Sequence, residues 1–469
     1  MEGSESQRNQ AEAESSNSRN WDELFDIYAK VITSENDKLK TRATVELSKM
    51  SRCAPENILA LTVPTLLEFL KNPSSNLRPS LQEASAHCLK CIASQGEGKL
   101  ADLIGQSGGI PILLAQLPNS EDSLQRALLK CLRNCVAFCG PNRMILASNG
   151  GLQTVLAMLS YCSDDSNLIL LEILSALSLV REVRKSLWGS RRVHLLVKAA
   201  GCGGLVSRTR AAQAMGLLGL IKQARHVLVD AGAVPVLIHL LKEGDPMTKL
   251  VAGNALGVIS SHVDHIRLVA QAGAIPLYAD LLRGPDPTGK EIAEDVLCML
   301  AVHEENAVTI FQHLVRILRE GDAGAKAAAA DVIWDLLNYE YSCLVVRSSG
   351  AVSILVELLK DESLDVREKV AGAVAQLSHD EADRAVLASC GAIPRLIEML
   401  EDGESDEVRG NAAEALVNFS LDQLLGDRLS CILDHPSFRN MRGRIMQMRA
   451  SDEHIDVAVM EIDRNRANE

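Results

Sequence analysis

The sequence predicts an all-α protein built from stacked helical repeats, and three observations support this fold class. The sequence segment at residues 231–241 recurs in similar form at 272–282, an offset of 41 residues, and again at 390–400. Such self-similarity is typical of repeat arrays. Apolar residues make up 47% of the chain but aromatics only 3%, so the core must consist mainly of Leu, Val, Ile and Ala, of which Leu and Ala favour helices. The alternating β-branched and aromatic runs that indicate strands are nearly absent.

The repeated segment predicts the end of one helix, a sharp corner and the start of the next helix. Gly232 stands where a helix should stop, because a residue at positive φ costs Gly almost nothing. Pro235 falls in the first turn of the following helix, where a missing N–H is tolerated. Leu237, Leu240 and Leu241 then recur at helical spacing and form an apolar stripe.

The chain before the repeats divides into a polar tail and a short amphipathic segment. Residues 1–20 contain no large apolar side chain after Met1, so we expect a disordered tail and no signal peptide. The segment Trp21–Ile32 alternates apolar and charged residues at helical spacing. We expect residues 21–35 to form a helix that caps the first repeat, as the ends of arrays require.

The repeat array is expected to span residues 36–425, in about ten units. Each unit should contain a short first helix such as Lys222–Asp230, a second helix after the corner, and a longer third helix such as Met247–Ser260. The corner position occupied by Val234 recurs at intervals of about 41 residues, and the matching residues are Val63, Ile110, Leu152, Val193, Ile275, Phe311, Val352 and Ile393.

Two units depart from the pattern, and the repeats fade near the end of the chain. At 189–193 the corner lacks Pro and carries Arg191 and Arg192 instead. At 306–311 it lacks both Gly and Pro, and the unit is about five residues short. We expect C-terminal capping helices within residues 426–449, including a closing helix at 437–449, and a charged tail at 450–469.

The consensus of the units resembles the armadillo repeat. Gly-Ala-Ile/Val-Pro-x-Leu-x-x-Leu-Leu followed by Val-x-x-x-Ala-x-x-Ala-Leu is similar to repeats of plant armadillo proteins, including the repeat region of plant U-box ubiquitin ligases. The resemblance covers roughly residues 36–425, without a segment that resembles a U-box. It implies an armadillo-repeat α-solenoid, a right-handed superhelix whose third helices line a concave groove for a partner.

The resemblance also provides a test for one specific function. Nuclear-import adaptors of this family carry Trp and Asn four residues apart on the third helices, where they hold a lysine-rich peptide. None of the Trp-like positions holds Trp here, and Trp334 stands one position too early, so we expect it to pack between repeats. The missing motif disfavours a nuclear-import adaptor.

The third helices supply the candidate groove residues, which change character along the chain. The polar candidates are Arg126, Lys130, Asn134, Glu172, Gln213, Asn254, Asp295, Asp331, Asp335, Gln376, Glu414 and Asn418. The C-terminal half is acidic, while the middle carries Ala176, Leu217 and Val258. Such a surface fits an extended peptide or helix that is basic toward the acidic half. An equally consistent interpretation is that these are solvated helix faces.

A basic cluster spans the atypical unit near the middle of the chain. It consists of Arg181, Arg184, Lys185, Arg191, Arg192, Lys198, Arg208 and Arg210. One interpretation is a contact with phosphate, an acidic partner or a lipid headgroup. The alternative is an ordinary solvated face.

Composition and motifs narrow the function classes. A net charge of −13 argues against a nucleic-acid surface, and we find no apolar stretch long enough for a membrane span. Twelve scattered cysteines suit a reducing compartment, so an intracellular location, cytoplasmic or nuclear, is expected. Cys131 and Cys135 fall on core positions, although a metal or redox role for the cysteine cluster is the alternative.

The sequence contains no recognisable catalytic constellation, and we expect no metal and no cofactor. It therefore predicts a non-enzymatic scaffold or adaptor that binds a protein or peptide in the groove of an armadillo solenoid. The alternative is a substrate-recognition factor that acts with a ubiquitin ligase in trans.

Overall fold

The computed structural model describes residues 20–71, 80–402, 405–422, 425, 429, 432–444 and 447. Within these ranges the chain forms helices and turns without any strand, which confirms the all-α fold class. The expected tail at 1–20 lies outside the described residues except for Asn20, and so does the tail at 450–469.

Twenty-seven α-helices follow one another in the described part up to Ser420. Their bounds are α1 Trp21–Ile32, α2 Asp37–Met50, α3 Glu56–Lys71, α4 Leu81–Ala93, α5 Lys99–Gln106, α6 Gly109–Gln116, α7 Asp122–Ala137, α8 Gly140–Ser148, α9 Gly151–Met158, α10 Asp164–Leu177, α11 Arg181–Gly189, α12 His194–Gly201, α13 Leu205–Gly219, α14 Lys222–Asp230, α15 Ala233–Glu243, α16 Pro246–Ser260, α17 Val263–Gln271, α18 Ala274–Arg283, α19 Pro287–Leu300, α20 Glu304–Glu320, α21 Ala323–Leu336, α22 Glu340–Ser349, α23 Ala351–Leu358, α24 Leu364–Leu377, α25 Glu381–Ser389, α26 Ala392–Asp402 and α27 Asp406–Ser420.

The described helices fall into two compact units, one up to residue 236 and one from residue 237. Both units contain three-helix repeats. In the first unit, α5, α6 and α7 form one repeat, and α8, α9 and α10 form the next. In the second unit, α17, α18 and α19 form one repeat, and α25, α26 and α27 another. The helix α1 occupies Trp21–Ile32, while the capping role expected for it stays a prediction. Residues 436–444 are helical, so the described part of the expected closing helix is helical too.

The regular corners have the backbone geometry that their sequence predicts. Gly232 ends α14 at φ 86° and Gly273 ends α17 at φ 88°. Gly350 and Gly391 adopt the same left-handed conformation, at φ 75° and 83°. A side chain at this φ is strained, so glycine sets the point at which the chain turns from the first helix into the second.

The backbone differs between the two atypical positions: a turn forms at the first, and no turn forms at the second. Arg191 itself takes the left-handed conformation, at φ 56°, and the amide of Arg192 donates to the carbonyl of Leu187 over 3.0 Å. At 306–311 there is no corner, because the first and second helices are fused into the continuous helix α20. The continuous helix α20 therefore accounts both for the absence of Gly and Pro and for the five missing residues.

The core is aliphatic, as the composition predicts. Leu, Ile, Val and Ala fill the buried positions, and only a few aromatic side chains, among them Tyr278, Phe311 and Phe419, are fully buried. Within the described ranges, no single helix is long and apolar enough to cross a membrane, and three bent helix pairs reach that length only when taken together.

Candidate partner-binding surface

The third helices of successive repeats pack against each other and present one continuous face in each unit. In the first unit this third-helix surface is formed by α4, α7, α10 and α13. In the second unit it is formed by α16, α19, α21, α24 and α27. The candidate groove residues lie on these helices.

Polar side chains of the first unit's third-helix surface link neighbouring repeats. The Arg133 guanidinium lies 3.0 Å from the Glu172 carboxylate, which also accepts the Gly204 amide over 3.0 Å. Asn134 donates to the carbonyl of Lys90 over 3.0 Å and accepts from Arg133. Asn134 and Glu172, both candidate groove residues, are therefore already engaged within the protein.

Other residues of this surface remain open to solvent. Lys130, Arg126 and Gln213 are exposed, and Arg126 donates through Nε to the carbonyl of Asp122 over 3.3 Å. Phe138 is 69% exposed at the end of α7, and the Arg210 guanidinium lies 5.2 Å from its ring centre. Burial, together with Arg143, lowers the pKa of Arg210 to about 10.

One group of exposed apolar side chains in the first unit lies along α13 and the turn after it. Leu217 is exposed on α13, in agreement with the apolar middle that the sequence predicts, whereas Ala176 is buried. Val206, Leu220 and Ile221 are exposed as well. This face differs chemically from the corresponding face of the second unit.

The second unit concentrates negative charge on α19 and α21. We call Glu294, Asp295, Asp331 and Asp335 the acidic surface. Burial, together with the neighbouring Asp331 and Asp295 carboxylates, raises the pKa of Glu294 to about 7, while Lys369 opposes this shift. Burial and Asp331 also raise the pKa of Asp335. The charged forms of Glu294 and Asp335 are therefore less stable here than in water.

One lysine of the protein itself already lies on the acidic surface. The Lys369 ammonium of α24 is 3.1 Å from the Asp331 carboxylate and 5.9 Å from the centre of the Trp334 ring. Trp334 packs across the repeat boundary, because a Cβ built on Gly372 of α24 would lie 2.5 Å from its ring. This contact agrees with the expectation that Trp334 packs between repeats.

The remaining candidates of the second unit lie toward α27. Gln376 donates to the side-chain oxygen of Asn338 over 3.3 Å, and Glu414 lies 3.1 Å from His379. Asn418 is buried and donates to the Ser378 hydroxyl over 2.9 Å. At the other end of the surface, Asn254 is exposed on α16.

The basic cluster divides into structural and exposed members. Arg184 donates to the carbonyls of Ser178 and Leu179 over 2.9 and 2.8 Å, and Arg208 donates to that of Ala200 over 3.0 Å. Arg210 lies over Phe138, as described above. The exposed members are Arg181, Lys185, Arg191, Arg192 and Lys198.

Arg184 and Arg208 belong to two periodic sets of donors that the sequence analysis missed. Near the start of the first helices, Arg143, Arg184, Arg225 and Arg384 donate to carbonyls that end the preceding third helix. Near the start of the third helices, residues such as Gln82, Arg208, Lys290 and Arg367 donate to carbonyls at or just after the end of the preceding second helix. Both sets satisfy the free carbonyls that a helix end leaves. Their spacing of about 41 residues was visible in the sequence.

The cysteines of α4 and α7 are placed in the core. Cys88, Cys131 and Cys135 are buried. The hydrogen bond with Cys135 and burial raise the pKa of Cys131, and burial raises that of Cys88. Because the thiolate is the reactive form, Cys88 and Cys131 behave as small apolar side chains.

Comparisons with protein families match two segments of the chain. Residues 222–261 match the armadillo/beta-catenin-like repeat, and residues 311–417 match HEAT repeats. The chain carries repeats of the armadillo/HEAT type. The HEAT match begins at Phe311, in the middle of the fused helix α20, where the armadillo corner is missing.

One solved structure agrees with the fold. An engineered protein whose crystal structure was determined by the Northeast Structural Genomics Consortium aligns with a TM-score of 0.64 and 22% identity, covering 84% of this chain and 98% of that one. A second engineered protein from the same consortium aligns with a TM-score of 0.39 and 25% identity over 48% of this chain and 96% of its own. No curated protein matches the sequence. The first alignment supports the all-α solenoid fold.

Proposed function

We propose that the protein is a binding scaffold whose acidic surface takes a basic segment of a partner protein. The proposal rests on the geometry of four carboxylates on the contacting helices α19 and α21, where the Lys369 ammonium already lies 3.1 Å from Asp331. Burial, together with Asp331 and Asp295, also raises the pKa of Glu294 to about 7. Carboxylates that repel one another at a partly buried site gain from a nearby cation. Repeats of the armadillo/HEAT type are typically non-catalytic, which agrees with a binding role.

The contact of Lys369 indicates how a partner lysine would be held. Its ammonium lies against the Asp331 carboxylate, and its charge lies near the face of Trp334. One internal lysine does not balance four carboxylates, and Asp295 and Asp335 are both exposed. A basic peptide along α19 and α21 would complete the neutralisation of the acidic surface.

The proposal is tested with a fluorescein-labelled peptide of alternating lysine and glycine, titrated with the full chain and followed by anisotropy. The test variant replaces Asp295, Asp331 and Asp335 with Lys. The control replaces Glu304, Glu320 and Glu357 with Lys, since these exposed residues give the same change in net charge. We expect about a tenfold loss of affinity in the test variant alone. An equal loss of affinity in both variants would show that the effect comes from net charge alone, and it would reject the site.

Two finer functions are distinguished by their partners. A substrate-recognition factor that acts with a ubiquitin ligase in trans should co-purify with ubiquitin machinery from its native cells. A nuclear-import adaptor should bind a lysine-rich localisation peptide in a register set by Trp and Asn, a pattern that the third helices lack. We favour the general scaffold over both.

We also propose an intracellular location, which the scattered free cysteines favour. Imaging of the tagged full chain in its native cells tests this, and a secreted or surface-exposed chain would contradict it.

A further inference from the structure

A cavity of about 700 Å³ opens in the second unit between two links that join second and third helices. Its apolar wall contains Leu250, Leu277, Leu281, Pro246, Pro285 and Pro287. The prolines start or precede α16 and α19 and fix the backbone there, so the wall is formed before any ligand arrives. A preorganised apolar cavity of this size is suited to one or two bulky side chains.

Lys249 lines this cavity and breaks the pattern of the third-helix donors. At the corresponding position of the next repeat, Lys290 donates to the carbonyl of Leu282 over 3.1 Å. In the following repeats, Lys326 pairs with Asp361 over 3.1 Å, and Arg367 donates to the Asp361 carbonyl over 2.7 Å. Within the described part of the chain, the Lys249 ammonium has neither a hydrogen bond nor an ion pair, although the side chain is half-buried.

The other charged residues of the cavity are engaged or solvated. Asp286 accepts the Gly289 amide over 3.1 Å at the start of α19, and Lys242 lies 3.7 Å from Glu243. Asp280 is exposed, so water stabilises its charge. The ammonium of half-buried Lys249 is less hydrated than the charged groups of these exposed residues, so a counter-ion would stabilise it more.

We propose that this cavity binds a partner polypeptide by taking a bulky apolar side chain whose neighbouring residue is acidic, with the carboxylate pairing with Lys249. The proposal is independent of the basic segment assigned to the acidic surface, because it uses other residues and the opposite charge. A scaffold with both sites would hold a basic and an acidic-apolar segment at once.

The test uses blocked dipeptides and the full chain. Saturation-transfer NMR measures the binding of N-acetyl-Leu-Glu-amide against N-acetyl-Leu-Gln-amide, N-acetyl-Leu-Lys-amide and N-acetyl-Gly-Glu-amide. We expect the first to bind about fivefold more tightly than the other three. Lys249→Gln should remove its advantage over the Gln dipeptide. The control Lys360→Gln, an exposed lysine of the same unit, should leave that advantage unchanged.

A second variant tests the apolar part of the proposal. Leu277→Asn places an amide in the wall and should weaken both leucine dipeptides, while circular dichroism confirms the helical content. Equal binding of the Glu, Gln and Lys dipeptides, no effect of Lys249→Gln, or no binding of any dipeptide at millimolar concentration would overturn the proposal. The lysine–glycine peptide, measured on the same Lys249→Gln sample, should bind as tightly as to the unmodified chain, so failure here and failure of the acidic surface are distinguishable.

Discussion

The ammonium of Lys369 lies 3.1 Å from the carboxylate of Asp331, on neighbouring third helices of the second unit. This pair joins the acidic surface to the next repeat and places a lysine beside Trp334. Lys369 is therefore a structural contact and, under the function that we propose, an internal competitor for a partner lysine.

Replacing Lys369 with Gln should strengthen the binding of the lysine–glycine peptide by about threefold, because a competing cation is lost from the acidic surface. The same change should raise the pKa of Glu294 further, since Lys369 now lowers it. Anisotropy gives the affinity, and NMR titration of the carboxyl carbons gives the pKa. Lys360→Gln, which removes an exposed lysine elsewhere in the unit, is the control. Weaker binding in Lys369→Gln would mean that Lys369 is part of the partner site.

The affinity for the basic peptide should fall as the pH is lowered through about 7. Glu294 has a pKa raised to about 7, so it is charged above that pH and neutral below it. Asp335, whose pKa is also raised, loses its charge at lower pH and adds to the effect. The charged groups facing Glu294 are Asp331, Asp295, Glu291 and Lys369.

Glu294→Gln is the matched variant for this pH dependence. It should bind the peptide more weakly at about pH 8 and show a flatter profile between about pH 6 and about pH 8. Because the folded pKa of about 7 lies above the ordinary value of 4.5, Glu294 lowers stability progressively as the pH rises from 4.5 to about 7, and the full cost remains at higher pH. The Gln variant should therefore be more stable than the unmodified chain at about pH 8, on the order of 1 kcal/mol after allowance for solvent screening. If Glu294→Gln and the unmodified chain bind the peptide with the same pH profile, Glu294 is not part of the binding site.

Gly372→Ala should destabilise the second unit, because the new Cβ would lie 2.5 Å from the Trp334 ring. We expect a loss of about 2 kcal/mol in a urea titration and a shift in tryptophan fluorescence. Gly410→Ala is the matched control: Gly410 lies inside α27, and a Cβ added there would have nothing within 4 Å, so this change should be neutral or stabilising. Equal effects of the two substitutions would contradict the close packing of Trp334 on α24.

Arg347 and Asp383 form another inter-repeat pair, and Asp383 is fully buried. Burial raises the pKa of Asp383 in spite of the guanidinium beside it. Arg347→Ala would leave this carboxylate buried and unpaired, so we expect a loss of about 3 kcal/mol in the unfolding free energy. Asp383→Ala should cost less, because Arg347 is partly exposed and keeps Asp380 at 3.0 Å.

The control for this pair is Arg395→Ala. Arg395 lies 3.2 Å from Glu398 on the surface of α26, and removing an exposed pair of this kind should cost less than about 0.5 kcal/mol. Urea unfolding compares the variants, and amide exchange in α22 and α25 shows whether the loss is local. A cost for Arg347→Ala as small as that of the control would show that the buried pair is not needed for stability.

The helices and corners were predictable because local sequence determines them. The predicted helix Lys222–Asp230 has the same bounds in the structure, and the corner at Gly232 has the positive φ expected of it. The missing corner at 306–311 was also visible, although the sequence did not reveal that the two helices fuse into α20.

The contacts of the third-helix surface were harder to predict, because they depend on how neighbouring helices are aligned. Asp295, Asp331 and Asp335 were identified from their positions, but Glu294, one residue away, was missed, and its raised pKa depends on burial and on α21. Arg184 and Arg208 were assigned to a basic patch, yet the structure uses them to bind helix-end carbonyls. A search for donors at 41-residue spacing would have found this role.

Photo-cross-linking shows where on the full chain a basic segment binds, and we propose that it binds the acidic surface of the second unit. A lysine–glycine peptide with one photoreactive residue is bound to the full chain, irradiated, and the attachment sites are mapped by mass spectrometry. We expect attachment within Pro287–Leu300 and Ala323–Leu336. This attachment should be lost when Asp295, Asp331 and Asp335 are replaced with Lys. Attachment confined to first and second helices, or unchanged in that variant, would contradict the proposal.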